Sequence, residues 1–244
     1  MRSPESRRRR RQEVATRAVT PDPMWSYCRI IGCPHPTRIG AGKGLNRKYC
    51  RRHEDHFQRH GSYTQRSFTA AQLAPCRKAA RAFLRSHSTD TVVASAIVAV
   101  QGLYARSGAH VEAFRLRGLS PVQRTAAVWA ALREVEVDPV EPLAAWLAVE
   151  LAIALNPGSE SKSDFKRVQA AKLVHRMAGG SHRRWQRERP DGRVLVEVLH
   201  KYPHSRGRIL RHTGMQLERA AELVVERHLD SLVESRIATR SGAK

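Results

Sequence analysis

The stretch SPVQRTAAVWAALREVEVDPVEPLAAWLAVELAIALNPG, residues 120–158, decides the fold class. It opens on Ser120-Pro121 and restarts on Asp138-Pro139. Each pair is a short polar side chain able to cap a helix, then a proline whose fixed φ suits a first helical position. Apolar side chains then recur at helical intervals, with Trp129 and Leu132 in the first run and Trp146 in the second. The first helix is expected to reach about Glu136, and the second to stop at Asn156-Pro157-Gly158. Pro142 to Leu155 is nearly all apolar, yet it contains Glu150 and falls short of the roughly 20 residues a bilayer demands. The run therefore predicts an all-α core with both tryptophans inside it.

Working outward, the same punctuation continues. Thr69 to Ser86 carries Leu73, Ala79, Ala80, Phe83 and Leu84 at roughly helical spacing. Thr89 to Arg106 is rich in Val, Ala and Ile and ends near Gly108; its β-branched content leaves a strand open, but its length favours a helix. Ser163-Asp164 can cap another helix, closed by Gly179-Gly180. Ser181 to Gly207 reads as a basic linker with a short strand at residues 194–198. A last helix from about Arg208 sets Leu217, Ala221, Val224, His228 and Leu232 on one stripe, a core face or the seam of a homodimer. The expected organisation is a disordered Arg-rich arm (1–24), a zinc-binding module (25–67), a helical core (68–180), the linker (181–207) and the C-terminal helix and tail (208–244). The fold class is thus mainly α, with a small metal-bound module in front.

The charge is unevenly spread. Lys and Arg outnumber Asp and Glu by 44 to 22, a formal net charge of +22. Residues 1–85 carry +15 and residues 158–244 carry +9, while residues 86–157 carry −2. Two basic ends around a neutral apolar middle suit a polyanion partner, duplex DNA ahead of RNA, and not a membrane. Arg7, Arg8, Arg9, Arg10 and Arg11 follow one another with no apolar segment behind them, so no secretory signal is expected. Such an arm tracks phosphates by counterion release. The expected setting is the cytoplasm, at the nucleoid in a bacterium.

The strongest chemical signal is Cys28, Cys33, Cys50 and His53, spaced C-x4-C, sixteen residues, then C-x2-H. Zinc takes four soft or borderline ligands in a tetrahedron, and closely spaced pairs let a short chain supply two corners each. Gly32, Pro34 and Pro36 suit a tight turn around the first pair. Cys50 and His53 at i, i+3 share one face of a helix running to His60. His56, one helical step on, competes with His53 for the fourth position. Cys76 stands apart and reads as a buried or free thiol.

The run Cys28-Arg29-Ile30-Ile31-Gly32-Cys33-Pro34, then Gly44-Leu45, Tyr49-Cys50-Arg51-Arg52-His53 and Arg59-His60-Gly61, resembles a small zinc module of phage and mobile-element proteins. Such modules often stand beside HNH-type endonuclease domains. The resemblance covers Trp25 to Ser67 and implies zinc at the four ligands, in a treble-clef-like or zinc-finger form. Several residues inserted before Cys50 depart from the usual pattern.

Arg47, Lys48, Arg51, Arg52 and Arg59 would then face a phosphate backbone or groove, while Tyr49 and Phe57 pack beneath the metal. A second basic surface is expected from Lys166, Arg167, Lys172 and Arg176, and from Arg183, Arg184, Arg187 and Arg189 around Trp185. The residues give no catalytic pattern. His53 of His53-Glu54-Asp55-His56 is taken up by zinc, and Tyr202 in His200-Lys201-Tyr202-Pro203-His204 fits no recombinase spacing. The sequence thus points to a DNA-binding protein with a non-catalytic regulatory or architectural role. A zinc-containing nuclease or recombinase and an RNA- or ribosome-associated protein are the alternatives.

Overall fold

The computed structural model describes residues 4–19, 27–37, 48–178, 181–200 and 207–241. It is mainly helical and divides into two compact units, residues 1–58 and 59–244. The first unit holds helix α1 (Pro4–Val19), the Cys/His cluster and most of α2 (Arg51–His60). The second is a helical body built from α3 (Ala70–Ser86), α4 (Thr91–Ala105), α5 (Pro121–Glu134), α6 (Val140–Ala154), α7 (Ser163–Ala178) and α8 (Arg208–Ser241). A short 3₁₀ turn, Ala113–Gly118, joins α4 to α5.

Caps set the helix starts of the body. Thr69 and Gln72 form a capping box at α3, and Ser120 and Gln123 form another at α5 ahead of Pro121. The Asp90 carboxylate accepts from the N–H groups of Val92 and Val93 at 2.8 and 3.2 Å. That cap resolves the strand-or-helix ambiguity of the Val-rich segment, because it satisfies donors that only a helix leaves open. At α6 the Asp138 carboxylate accepts from Val140 N–H at 2.9 Å.

Helix α6 is the centre. From Val140 to Leu151 every side chain except Glu141 is buried, and α3, α4, α7 and α8 all pack on it. A helix apolar around its whole circumference has to be enclosed in this way. Trp129 and Trp146 are both inside, and the Trp129 indole N–H donates to Gln216 Oε1 at 2.6 Å. Glu150, the charge in the apolar run, is neutralised by Lys166 Nζ at 2.7 Å. Glu141 faces α3, where it accepts from Arg77 and Arg81. Two glycines permit close approach to α7. A Cβ at Gly214 of α8 would collide with the Arg167 backbone, and one at Gly61, where φ is +75°, with the carbonyl of Asp164.

Two expectations change and a third is narrowed. Pro4–Val19 is a helix where the sequence predicts a disordered arm. Arg, Gln, Glu and Ala are good helix formers, and their intrinsic preference outweighs the repulsion between neighbouring arginines. Residues 181–200 are an antiparallel hairpin, β1 (Ser181–Glu188) and β2 (Val194–His200), in place of most of the linker. Its turn explains it: Arg189 N–H bonds to Arg193 O, Gly192 N–H bonds to Arg189 O, and Gly192 takes φ +75°. Pro190-Asp191-Gly192 is thus a turn followed by a left-handed glycine, which sets the strands in register. Finally, the stripe of α8 packs inside its own chain. Leu217, Ala221, Val224 and Leu232 are buried in the same core as α6, which bears out the core-face reading of that stripe. Among the described residues, no helix is long and apolar enough to cross a membrane.

Candidate metal centre

Two local structures deliver the four candidate ligands. The first is a tight hairpin. Tyr27 bridges to Pro36, Cys28 N–H bonds to His35 O at 3.0 Å, and Cys33 N–H bonds back to Ile30 O at 3.0 Å. Gly32 turns the corner at φ +76°, a conformation that disfavours any side chain with a Cβ. The two thiols thereby leave the same end of the loop. The second structure is the start of α2. Glu54 N–H bonds to Cys50 O at 3.0 Å, so Cys50 is the cap residue and His53 lies on the first turn. The backbone of Arg29 reaches across to Lys48 O at 2.8 Å and ties the hairpin to this second pair.

The ligand atoms of Cys28, Cys33, Cys50 and His53 all lie within 4.8 Å of one another. His53 Nδ1 is 3.3 Å from the sulfurs of both Cys28 and Cys50, and the Cys33 and Cys50 sulfurs are 3.9 Å apart. An ion bound at about 2.3 Å by sulfur and about 2.0–2.1 Å by nitrogen sets tetrahedral edges near 3.8 Å and 3.6 Å. The donor set and its spacing therefore fit one tetrahedral metal ion. His53, not His56, is the histidine in the group.

The electrostatics agree. Burial raises the Cys28 thiol, but backbone N–H groups of Cys50 and Ile30 and the thiols of Cys33 and Cys50 outweigh it and hold it below its ordinary range. Cys33 receives a backbone hydrogen bond through His35 that lowers it, yet burial and the Cys28 and Cys50 sulfurs leave it raised. Three thiols this close cannot all ionise unless a cation sits among them. Burial, then the charges of Arg52, His56 and His35, lowers the His53 pKa. The imidazole is thus kept neutral, as a ligand nitrogen must be.

The basic candidates are placed as follows. Lys48, Arg51, Arg52 and Arg59 are exposed, and Arg51 lies 3.7 Å from Asp55 in a solvent-exposed i, i+4 pair. Such a pair is weak enough for phosphate to replace. Arg8, Arg9 and Arg11 are exposed on α1, and Arg7 and Arg10 lie on the same helix. Arg47 and residues 201–206, with Tyr202, lie outside the described residues. In the hairpin, Arg183 stands opposite Leu199, Arg184 opposite Val198 and Arg187 opposite Leu195. Arg187, Arg189 and Arg193 are exposed, the last being a cation that the charge pattern alone does not single out. Of the second basic surface, Lys166 is paired with Glu150, and Arg167 with Glu218 at 2.6 Å and Asp164 at 3.8 Å. Lys172 and Arg176 instead line a cavity. Cys76 is buried in the body and belongs to its apolar core.

Comparison with protein-family models, with curated proteins and with solved structures gave no match for this chain.

Proposed function

We propose that this is a zinc-containing nucleic-acid-binding protein that favours duplex DNA and acts without catalysis. The observation that carries the reading is the placement of charge around the metal group. The sulfurs and the imidazole turn inward, while Lys48, Arg51, Arg52 and Arg59 are exposed. Zinc is the ion that best suits three thiolates and one imidazole at tetrahedral spacing. Its role is structural: all four positions of the tetrahedron are filled by protein, and none is open for a substrate. The ion would hold a short basic helix that is too small to be stable alone.

The hairpin supports the same reading from the body. A two-stranded ribbon is narrow enough for the major groove, and this one carries exposed Arg187, Arg189 and Arg193 at and beside its turn. Its β2 residues Val194, Leu195 and Val196 are exposed as well, an apolar edge available to sugar and base surfaces. The phage or mobile-element setting rests on the resemblance of the Cys/His run alone.

The test is binding of zinc-loaded protein to a labelled duplex across a salt series, with structured RNA as competitor. The reading predicts affinity that falls steeply with salt and resists RNA at equal phosphate concentration. Binding that is flat with salt, or RNA that displaces the duplex at low excess, would contradict it.

A further inference from the structure

A cavity of about 180 Å³ lies in the helical body, lined by α7, by the start of α3 with the two residues Ser67 and Phe68 before it, and by Leu210 of α8. Its polar wall is Lys172, His175 and Arg176 of α7 together with Ser67, and Phe68, Leu73, Leu173 and Leu210 supply apolar wall. No carboxylate is among the lining residues described. This sets the cavity apart from the rest of α7, where Lys166 and Arg167 each meet a buried or half-buried carboxylate. Lys172 and Arg176, one helical turn apart, are like charges on one face and repel each other.

The cavity is built rather than incidental. The Lys172 ammonium donates to Ser67 Oγ, and Ser67 Oγ lies 2.8 Å from His60 Nδ1. That nitrogen also accepts the Ser67 backbone N–H at 2.9 Å, so it is the acceptor of the pair and the serine hydroxyl donates to it. Ser67 is therefore held on two sides and orients Lys172 instead of standing ready as a nucleophile. Gln169, itself buried, fixes the floor: its amide accepts from Phe68 N–H at 3.2 Å and donates to His60 O at 2.8 Å.

We infer that this cavity binds a phosphate monoester group, with Lys172 and Arg176 as the cationic clamp and the apolar wall against whatever carries the phosphate. Arg offers a planar fork and Lys a point charge, the two common ways of holding phosphate oxygens. The size agrees, since drug-sized ligand sites run to about 300–1,000 Å³ and this cavity holds a head group rather than a whole nucleotide. A terminal phosphate can enter a recess, whereas a phosphodiester within a strand is flanked by sugars on both sides. Burial, then Arg176, lowers the Lys172 pKa to about 8. A dianion in the cavity would restore the full charge. The inference goes beyond the proposed DNA binding and does not depend on it.

Free phosphate and the 5′ end of a nucleic acid share this chemistry, and one experiment separates them. Zinc-loaded full-length protein is titrated with inorganic phosphate, and in parallel with one short oligonucleotide bearing either a 5′-phosphate or a 5′-hydroxyl. The same titrations use K172Q/R176Q, which removes both cations of the clamp, and R219Q/R227Q, which loses equal charge at exposed positions of α8. Saturable phosphate binding that weakens about ten- to a hundredfold in K172Q/R176Q alone supports the site with free phosphate as ligand. A preference for the 5′-phosphorylated strand, lost in K172Q/R176Q alone, supports it with the nucleic-acid end. Equal losses in both double variants, or no saturable binding in either arm, would overturn it. K172R, which keeps the charge, should retain most of the binding and serves as the check that position 172 acts through its cation.

Discussion

The two units of this protein bury apolar surface to very different extents. In residues 59–244 one helix, α6, is enclosed by four others, and the core residues Trp129, Trp146, Leu143 and Leu147 are almost wholly excluded from water. In residues 1–58, among the described residues, the buried hydrophobic positions are Cys28 and Cys50 alone. A segment that buries so little apolar surface has little to offset its conformational entropy. The difference teaches where an ion would matter: at the Cys/His group of the first unit, which has little apolar core, and not in the second, which has its own.

The largest effect expected follows at once. Cys50→Ser, or removal of the ion by a chelator, should abolish metal binding and unfold residues 27–58, given that structural zinc contributes about 10–16 kcal/mol in small modules. Amide hydrogen exchange should rise throughout that segment and stay slow in α6. Loss of protection in α6 as well would break the comparison, because it would make the body depend on the metal. The converse variant is Trp146→Ala, which should cost the body about 3–5 kcal/mol. Its urea midpoint should fall while metal stoichiometry holds.

A smaller effect sharpens the electrostatic side of the body. Burial pushes the Glu141 carboxyl up, but hydrogen bonds from Arg81 and Arg77 outweigh it and hold its pKa below the ordinary value. Its contribution is therefore full above the unfolded value, near 4.3, and disappears as pH falls through the lower folded value. Glu141→Gln should cost about 1–2 kcal/mol at neutral pH, with a difference from wild type that shrinks below about pH 4. Chemical denaturation at pH 7, 5 and about 3.5 measures both. The smallest change is Arg187→Ala, which should leave stability alone and lower the salt slope of DNA binding by about one.

Legibility in the sequence follows the same division. The helical body can be read because its signals are local and repeated: Ser120-Pro121, Asp138-Pro139 and the apolar spacing through Trp129 and Trp146. The four metal-group residues can be read because their side-chain chemistry is unusual and their spacing short. The hairpin escapes such a reading although Pro190-Asp191-Gly192 announces a turn. The residues of β1 are polar and give no apolar alternation to pair with the visible strand at residues 194–198. The fate of Lys166, Arg167, Lys172 and Arg176 is not legible either. Which cation meets a carboxylate and which faces a cavity depends on Glu150 and Glu218, brought together with α7 only by folding.

The central claim is that metal holds a basic element in the form that meets nucleic acid. The most direct measurement compares the salt dependence of duplex binding by the zinc-loaded and the chelated full-length protein, with helix content followed in parallel. The account predicts a steep slope for the loaded protein, a distinctly shallower one after chelation, and little loss of helix. Identical slopes in the two states would contradict it.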